Sequence, residues 1–239
     1  MNSIGTIPLR ERIIVALDVS STAEAIAIVA KLGDSVAHYK IGLQLYTAEG
    51  PDVVRAVART GAKIFLDLKL HDIPNTVGKA VASAARLGVN MLTIHLSGGR
   101  SMIEAALAAG TNGLTLLGVT VLTSMDSATL ASVGIDDATD RQVLRLGLLG
   151  HAAGLRGLVA SPLELRPLRS ALGADVIIVT PGVRPVWAEA GDQKRFMTPR
   201  DAIQNGADYL VIGRPITAHK NPKEAVERIL DEIGAELPR

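Results

Sequence analysis

Short aliphatic runs alternate with amphipathic stretches from one end of the 239-residue chain to the other. Eight of the runs read as strands, at 13–18, 38–43, 63–69, 91–95, 115–122, 157–161, 175–180 and 209–213. Each is followed by a stretch that reads as helix, and strand-then-helix alternation argues for parallel strands joined by crossover helices. Helices then cover the sheet, which is why the strands are almost continuously apolar. A small repeat punctuates the pattern. Gly61-Ala62-Lys63, Gly88-Val89-Asn90, Gly173-Ala174-Asp175 and Gly206-Ala207-Asp208 each precede a strand, as expected of a helix ended by a left-handed glycine before immediate strand entry. Ser21-Thr22-Ala23-Glu24 reads as a capping box with Gly33 closing that helix, and residues 225–233 carry apolar positions at helical spacing.

Eight such units in 239 residues predict a closed (β/α)8 barrel, one domain over residues 1–239, with an open doubly wound sheet as the alternative. The longest insert, 124–140, and the Pro- and Gly-bearing stretch 181–196 both follow strands. In a barrel they fall on the C-terminal face, where active sites are built.

Composition narrows the chemistry. Without cysteine, disulfides, thiolate nucleophiles and Cys-ligated metal centres are excluded. Lys plus Arg (25) balances Asp plus Glu (24), so no overall electrostatic footprint for nucleic acid or anionic membrane is expected. No apolar run reaches the roughly 18 residues of a membrane span, and the first residues lack a signal-peptide core. A cytoplasmic protein is expected.

The polar residues inside apolar strands are the informative ones. Ile64, Leu66, Leu68 and Leu70 share one parity, while Phe65, Asp67 and Lys69 share the other. Strand side chains alternate faces, so Asp67 and Lys69 should point into the barrel mouth. The second strand sets Tyr39, Ile41, Leu43 and Leu45 against His38, Lys40, Gly42 and Gln44; the first sets Ile13, Val15 and Leu17 against Ile14, Ala16 and Asp18. Three adjacent strands thus deliver Asp18, Lys40, Asp67 and Lys69 to one end. Four charges gathered only for stability would be a poor arrangement, because desolvation offsets their attraction. A metal site from Asp18, Asp67, Asp72 and His95 is opposed by the two interleaved lysines, whose cations would repel a divalent ion. After the last two strands come Pro181-Gly182-Val183-Arg184 and Ile212-Gly213-Arg214-Pro215. Glycines admit an anion to backbone N–H groups, arginine grips phosphate, and barrels place phosphate sites after strands seven and eight. The expected ligand is a phosphorylated small molecule whose reactive part faces a lysine–aspartate array. His38, His95, His151 and His219 are expected to be packing or surface residues, and His71 to support its loop.

These residues resemble the orotidine 5′-phosphate decarboxylase family. The central match is Asp67-Leu68-Lys69-Leu70-His71-Asp72-Ile73-Pro74-Asn75-Thr76, which carries the family's DxKxxD signature. It is joined by Leu17-Asp18, Tyr39-Lys40-Ile41-Gly42, Val121-Leu122-Thr123-Ser124, Pro181-Gly182-Val183-Arg184, Gly191-Asp192-Gln193-Lys194-Arg195 and Ile212-Gly213-Arg214-Pro215. The resemblance implies a cofactor-free decarboxylation of orotidine 5′-monophosphate to UMP, with Lys69, Asp67, Asp72 and Lys40 as the catalytic charged network. It implies that Asp72 and Thr76 cross to the neighbouring subunit of a homodimer. By the same resemblance Asp18 and Lys40 would hold ribose hydroxyls, Thr123 the pyrimidine, and Gln193 both pyrimidine and phosphate. Arg184, Gly213 and Arg214 would form the phosphate region, with the 181–196 loop closing over it. Two alternatives remain: a Mg²⁺-dependent sugar-phosphate decarboxylase or synthase sharing DxKxxD, and a non-catalytic nucleotide-binding barrel. Metal-using relatives carry an acidic ligand where this chain has Lys40.

Overall fold

The computed structural model describes residues 7–111, 113–188 and 197–234. Eight parallel strands close in sequence order into a barrel: β1 (Ile13–Ala16), β2 (His38–Gly42), β3 (Lys63–Leu70), β4 (Met91–His95), β5 (Thr115–Val119), β6 (Gly157–Val159), β7 (Ile177–Thr180) and β8 (Tyr209–Ile212), with β8 pairing back onto β1. The open doubly wound alternative is thereby excluded. Around the barrel run α1 (Thr22–Leu32), α2 (Leu43–Glu49), α3 (Pro51–Ala58), α4 (Pro74–Ala85), α5 (Gly99–Ala109), α6 (Ser127–Ser132), α7 (Thr139–Ala152), α8 (Leu165–Leu172), α9 (Pro199–Gln204), α10 (Arg214–Thr217) and α11 (Pro222–Gly234).

Parity divides the apolar residues into two cores. Ile14, Ala16, Phe65, Met91, Leu117, Val179, Tyr209 and Val211 fill the barrel interior. Their strand neighbours, among them Ile13, Val15, Tyr39, Ile41, Ile64, Leu66 and Leu92, pack under the helices. α11 buries Ala225, Val226, Ile229 and Ile233 against the same layer, at the helical spacing expected. Ser21 caps α1 by accepting a hydrogen bond from the Glu24 N–H at 3.3 Å.

The glycine triplets work as anticipated and do more. Gly61, Gly88, Gly173 and Gly206 take φ values of 86°, 75°, 73° and 104°, a backbone that disfavours side chains. In two triplets the polar third residue reaches the neighbouring strand: Asn90 Oδ1 accepts from Ile64 N and Asp208 Oδ2 from Ile178 N, both at 2.8 Å. These bonds satisfy strand N–H groups at the N-terminal rim of the barrel.

Strand ends differ from expectation. Leu17, Val121, Ala160 and Val176 are buried but lie outside the ladder. Burial made them read as strand; pairing ends earlier. β2 stops at Gly42, and Leu43, 54% exposed, opens α2, so Leu43, Gln44 and Leu45 do not continue the strand alternation. The insert after β5 contains α6, whose N–H of Thr129 is capped by the Asp126 carboxylate at 2.8 Å.

At the N-terminal end of the interior, His38 is buried with its ring edge-on to Tyr209 at 5.5 Å, and its Nδ1 has no hydrogen-bond partner among the described residues. Burial, assisted by the Lys63 charge and opposed by Glu11, pushes its pKa from 6.5 down to about 4. An unfolded chain therefore takes up a proton near pH 6.5 that the folded one refuses until about pH 4. The stabilisation is present above pH 6.5 and is lost as the pH falls through that window, by about 3 kcal/mol in total. Urea unfolding across this range should show that loss, and His38→Leu should flatten the slope. An unchanged slope would assign acid sensitivity to other groups.

Candidate active site

Asp18, Lys40, Asp67 and Lys69 meet at the C-terminal mouth as one row of alternating charge. Lys40 Nζ donates to Asp18 Oδ1 at 3.0 Å and stands 3.9 Å from Asp67 Oδ2. Lys69 Nζ donates to both Asp67 oxygens, at 2.9 and 2.8 Å. Exposure falls toward the middle of the row: side chains are 62% exposed at Asp18, 12% at Lys40, 13% at Asp67 and 29% at Lys69. Asp18 lies two residues past the last β1 residue, kept in line by a bond from Leu17 N to Lys40 O at 2.9 Å. Gly42 makes room for the row, since a Cβ there would lie 2.9 Å from Lys40 Nζ.

β3 does not reach the mouth as a regular strand. Its register against β4 shifts between Leu66 and Leu70, and Lys69 takes φ 49°, the sole non-glycine positive φ among the described residues. Such a conformation costs on the order of 1–2 kcal/mol for an L-residue. It is held by Thr93 of β4, whose Oγ1 accepts from Lys69 N at 2.8 Å and donates to Asp67 Oδ1 at 3.0 Å. One buried hydroxyl therefore fixes both the backbone of the lysine and the carboxylate that the lysine faces. Sequence reading missed Thr93. Its signal was available, for it is the polar residue of inward parity between Met91 and His95. His95 stacks near His71, ring centroids 5.3 Å apart, and its pKa is lowered first by burial and then by the His71 and Lys69 charges.

Asp72 and Thr76 stand apart from the row. Both are exposed at the start of α4, and Asp72 Oδ1 accepts from its neighbour Ile73 N at 2.7 Å. Ile73 beside them is 65% exposed. Thr123 is exposed on the turn after β5. Asp18, Asp67, Asp72 and His95 do not form a metal-binding group; none of three or more such side chains occurs among the described residues. Ser97, Gly98 and Gly99 form a tight turn into α5, where a Cβ on Gly98 would strike Met102.

Arg184 and Arg214 line one cavity of about 510 Å³ outside the ends of β7 and β8. Arg184 is buried, and a parallel bridge between Val183 and Met197 joins the two stems of the intervening loop. Gly213 connects this cavity to the charged row, because a Cβ there would sit 3.8 Å from Asp18 Oδ2. Gln193 lies outside the described residues. His219 is more than a surface residue: it lines the cavity and lies edge-on to Trp187 at 5.7 Å.

Fold and site together define a barrel enzyme whose mouth carries a fixed lysine–aspartate row flanked by an arginine-lined cavity. The chain belongs to the Orotidine 5'-phosphate decarboxylase / HUMPS family, which it matches over residues 11–229. An orotidine 5′-phosphate decarboxylase of Pelobacter propionicus is 50% identical over 234 residues, covering 96% of this chain and 98% of the relative. That of Opitutus terrae is 54% identical over 224 residues, covering 92% and 97%. The crystal structure of orotidine 5′-phosphate decarboxylase from Lactobacillus acidophilus superposes with a TM-score of 0.82 at 37% identity, over 93% of this chain and 99% of that one.

Proposed function

We propose that this chain decarboxylates orotidine 5′-monophosphate to UMP and carbon dioxide, supplying UMP in pyrimidine synthesis. The observation that carries the proposal is the row Asp18–Lys40–Asp67–Lys69, with Lys69 held in a strained backbone by Thr93. Strain retained at one residue of a mouth otherwise built from regular strands points to a functional demand on that residue.

The reaction breaks the bond from C6 of the pyrimidine to its carboxylate carbon. Carbon dioxide leaves, and the electron pair stays on C6, where no adjacent carbonyl accepts it. The site must stabilise that pair electrostatically, and a preorganised ammonium does so without reorganising solvent. Lys69 supplies the ammonium and then the proton that completes UMP; the resulting amine regains a proton from solvent. Asp67 and Thr93 keep the lysine in place throughout. Lys40 serves the network and, with Asp18, the ribose hydroxyls. Arg184, Arg214 and the backbone at Gly213 take the phosphate, with Gln193 and Thr123 toward the base. Binding energy from that remote phosphate is available to align C6 with Lys69.

In this scheme no cofactor takes part, one barrel domain carries the activity, and the enzyme works in the cytoplasm as a homodimer. Asp72 and Thr76 complete the partner's site. Their exposure, and the side chain of Asp72 turned to its own Ile73, support such a crossing. No helix among the described residues is long and apolar enough to cross a membrane. The Mg²⁺-dependent sugar-phosphate reading is disfavoured by Lys40, whose ammonium stands between the carboxylates of Asp18 and Asp67 that a cation would need, Asp67 being paired with Lys69 as well.

The test follows the ultraviolet absorbance of orotidine 5′-monophosphate with purified protein, with and without EDTA. Conversion to UMP that is indifferent to EDTA is expected. Tight UMP binding without turnover would replace the enzyme with a nucleotide-binding protein. Neither binding nor turnover would redirect attention to metal-dependent sugar-phosphate chemistry.

A further inference from the structure

Thr93 faces the irregular part of β3. The ladder pairs Leu66 with Leu92 and Leu70 with Ile94, so Asp67, Leu68 and Lys69 all lie against the one β4 residue between, Thr93. Such a bulge leaves backbone groups without ladder partners, and here the threonine side chain supplies one: its Oγ1 accepts from Lys69 N at 2.8 Å. The residue is 0% exposed, and its partner on β5 is Leu117 of the barrel interior. A hydroxyl has a single hydrogen to give. With Lys69 N donating to it, that hydrogen goes to Asp67 Oδ1 at 3.0 Å.

Lys69 is thereby tied at both ends. Its backbone is fixed through the N–H, and its ammonium donates to Asp67, whose Oδ1 accepts from the same threonine hydroxyl. Between those ends runs a flexible four-carbon stem that ordinarily samples many rotamers. An ammonium carries three hydrogens, and Asp67 engages at most two of them, so at least one is left for the mouth. Its direction depends on the plane of the Asp67 carboxylate. Lys40 stands 3.9 Å from Oδ2 and gives its own hydrogen bond to Asp18 instead. Among the described residues, Thr93 therefore makes the one hydrogen bond to Asp67 that does not come from Lys69 itself.

We propose that Thr93 is a positioning residue of the reaction: by tying both ends of Lys69 to one oxygen atom, it aims the free ammonium hydrogen at the substrate carbon. Thr93 itself gives up no proton to the substrate and acts only through Lys69 and Asp67. This rests on the function proposed above for the identity of that carbon, but not for the tie itself. Two substitutions separate the hydroxyl from the shape of the side chain. Valine keeps the shape and can neither donate nor accept, whereas serine keeps the hydroxyl and loses only a methyl group.

Two measurements compare Thr93→Val and Thr93→Ser with the wild-type protein. The first is steady-state turnover of orotidine 5′-monophosphate together with UMP affinity. Valine should lower kcat about a hundredfold, the cost of misplacing a reacting group by about 1 Å. UMP affinity should move less than about threefold, because the lost interaction serves the transition state rather than binding. Serine should recover most of the lost kcat. The second needs no substrate: hydrogen exchange of the Lys69 amide, followed by NMR, should be about tenfold faster in the valine variant, the effect of one lost hydrogen bond, and nearly unchanged in the serine variant. Unchanged exchange in the valine variant would overturn the tie. Normal kcat despite faster exchange would make the bond structural only and overturn the positioning role. A serine variant as slow in turnover as valine would trace the loss to packing and overturn it too, as would equal losses of kcat and UMP affinity. A wild-type protein that shows the expected exchange pattern but no turnover would sink the decarboxylase reading and leave the tie standing.

Discussion

Lys69→Ala is expected to abolish turnover while leaving UMP binding within about tenfold of wild type. Two unit charges about 4 Å apart at an effective dielectric near 20 attract by roughly 4 kcal/mol, or about three powers of ten in rate. Loss of general-acid catalysis removes a further two to four powers of ten, roughly. A fall of at least about five powers of ten in kcat is therefore expected, and near-normal turnover would sink the mechanism. The same position tests the strain. Alanine inherits the left-handed backbone of Lys69 at φ 49°, whereas glycine adopts it freely. Lys69→Gly should accordingly be about 1 kcal/mol more stable than Lys69→Ala, read as the difference between their urea midpoints at equal slope. Equal stabilities would mean that the left-handed backbone carries no strain at this position.

The extent to which the site was legible in the sequence follows from the periodicity of strands. Alternation placed Asp18, Lys40, Asp67 and Lys69 at one end, because side chains of inward parity on neighbouring parallel strands converge there. It could not show that Lys69 arrives through a register shift, since φ at one residue leaves no mark in a pattern of apolar and polar letters. Thr93 was open to the same parity argument and was missed because a threonine in a strand ordinarily passes as a β-former. Leu43 failed in the opposite way: an apolar residue of correct parity lies beyond the last paired residue and starts a helix half-exposed. Burial and pairing are separate properties, and only burial is written in hydrophobicity. The meeting of His219 with Trp187 at the cavity was invisible for a third reason. It joins a turn to a tryptophan from another loop, and such proximity exists only once the outer helices are seated.

Asp72 provides the sharpest test of a site assembled from two chains. It has no bond to the Lys40–Asp67–Lys69 row of its own chain among the described residues; its carboxylate turns instead to the Ile73 N–H at 2.7 Å. Asp72→Asn removes one charge from the proposed network of the partner, and Lys69→Ala removes the proton donor of its own. Each protein alone should be inactive or nearly so. In a two-fold symmetric dimer the two lesions segregate: a mixed dimer has one site bearing both substitutions and one bearing neither. After subunit exchange at equal amounts, about half the dimers are mixed, and half of their sites are intact. About a quarter of wild-type activity should therefore return. Exchange is followed independently by labelling the two proteins with a fluorescent donor and acceptor. Activity that returns in step with the energy-transfer signal supports sites completed across the interface. Exchange without recovery would place Asp72 outside the partner's site and leave each barrel to work alone.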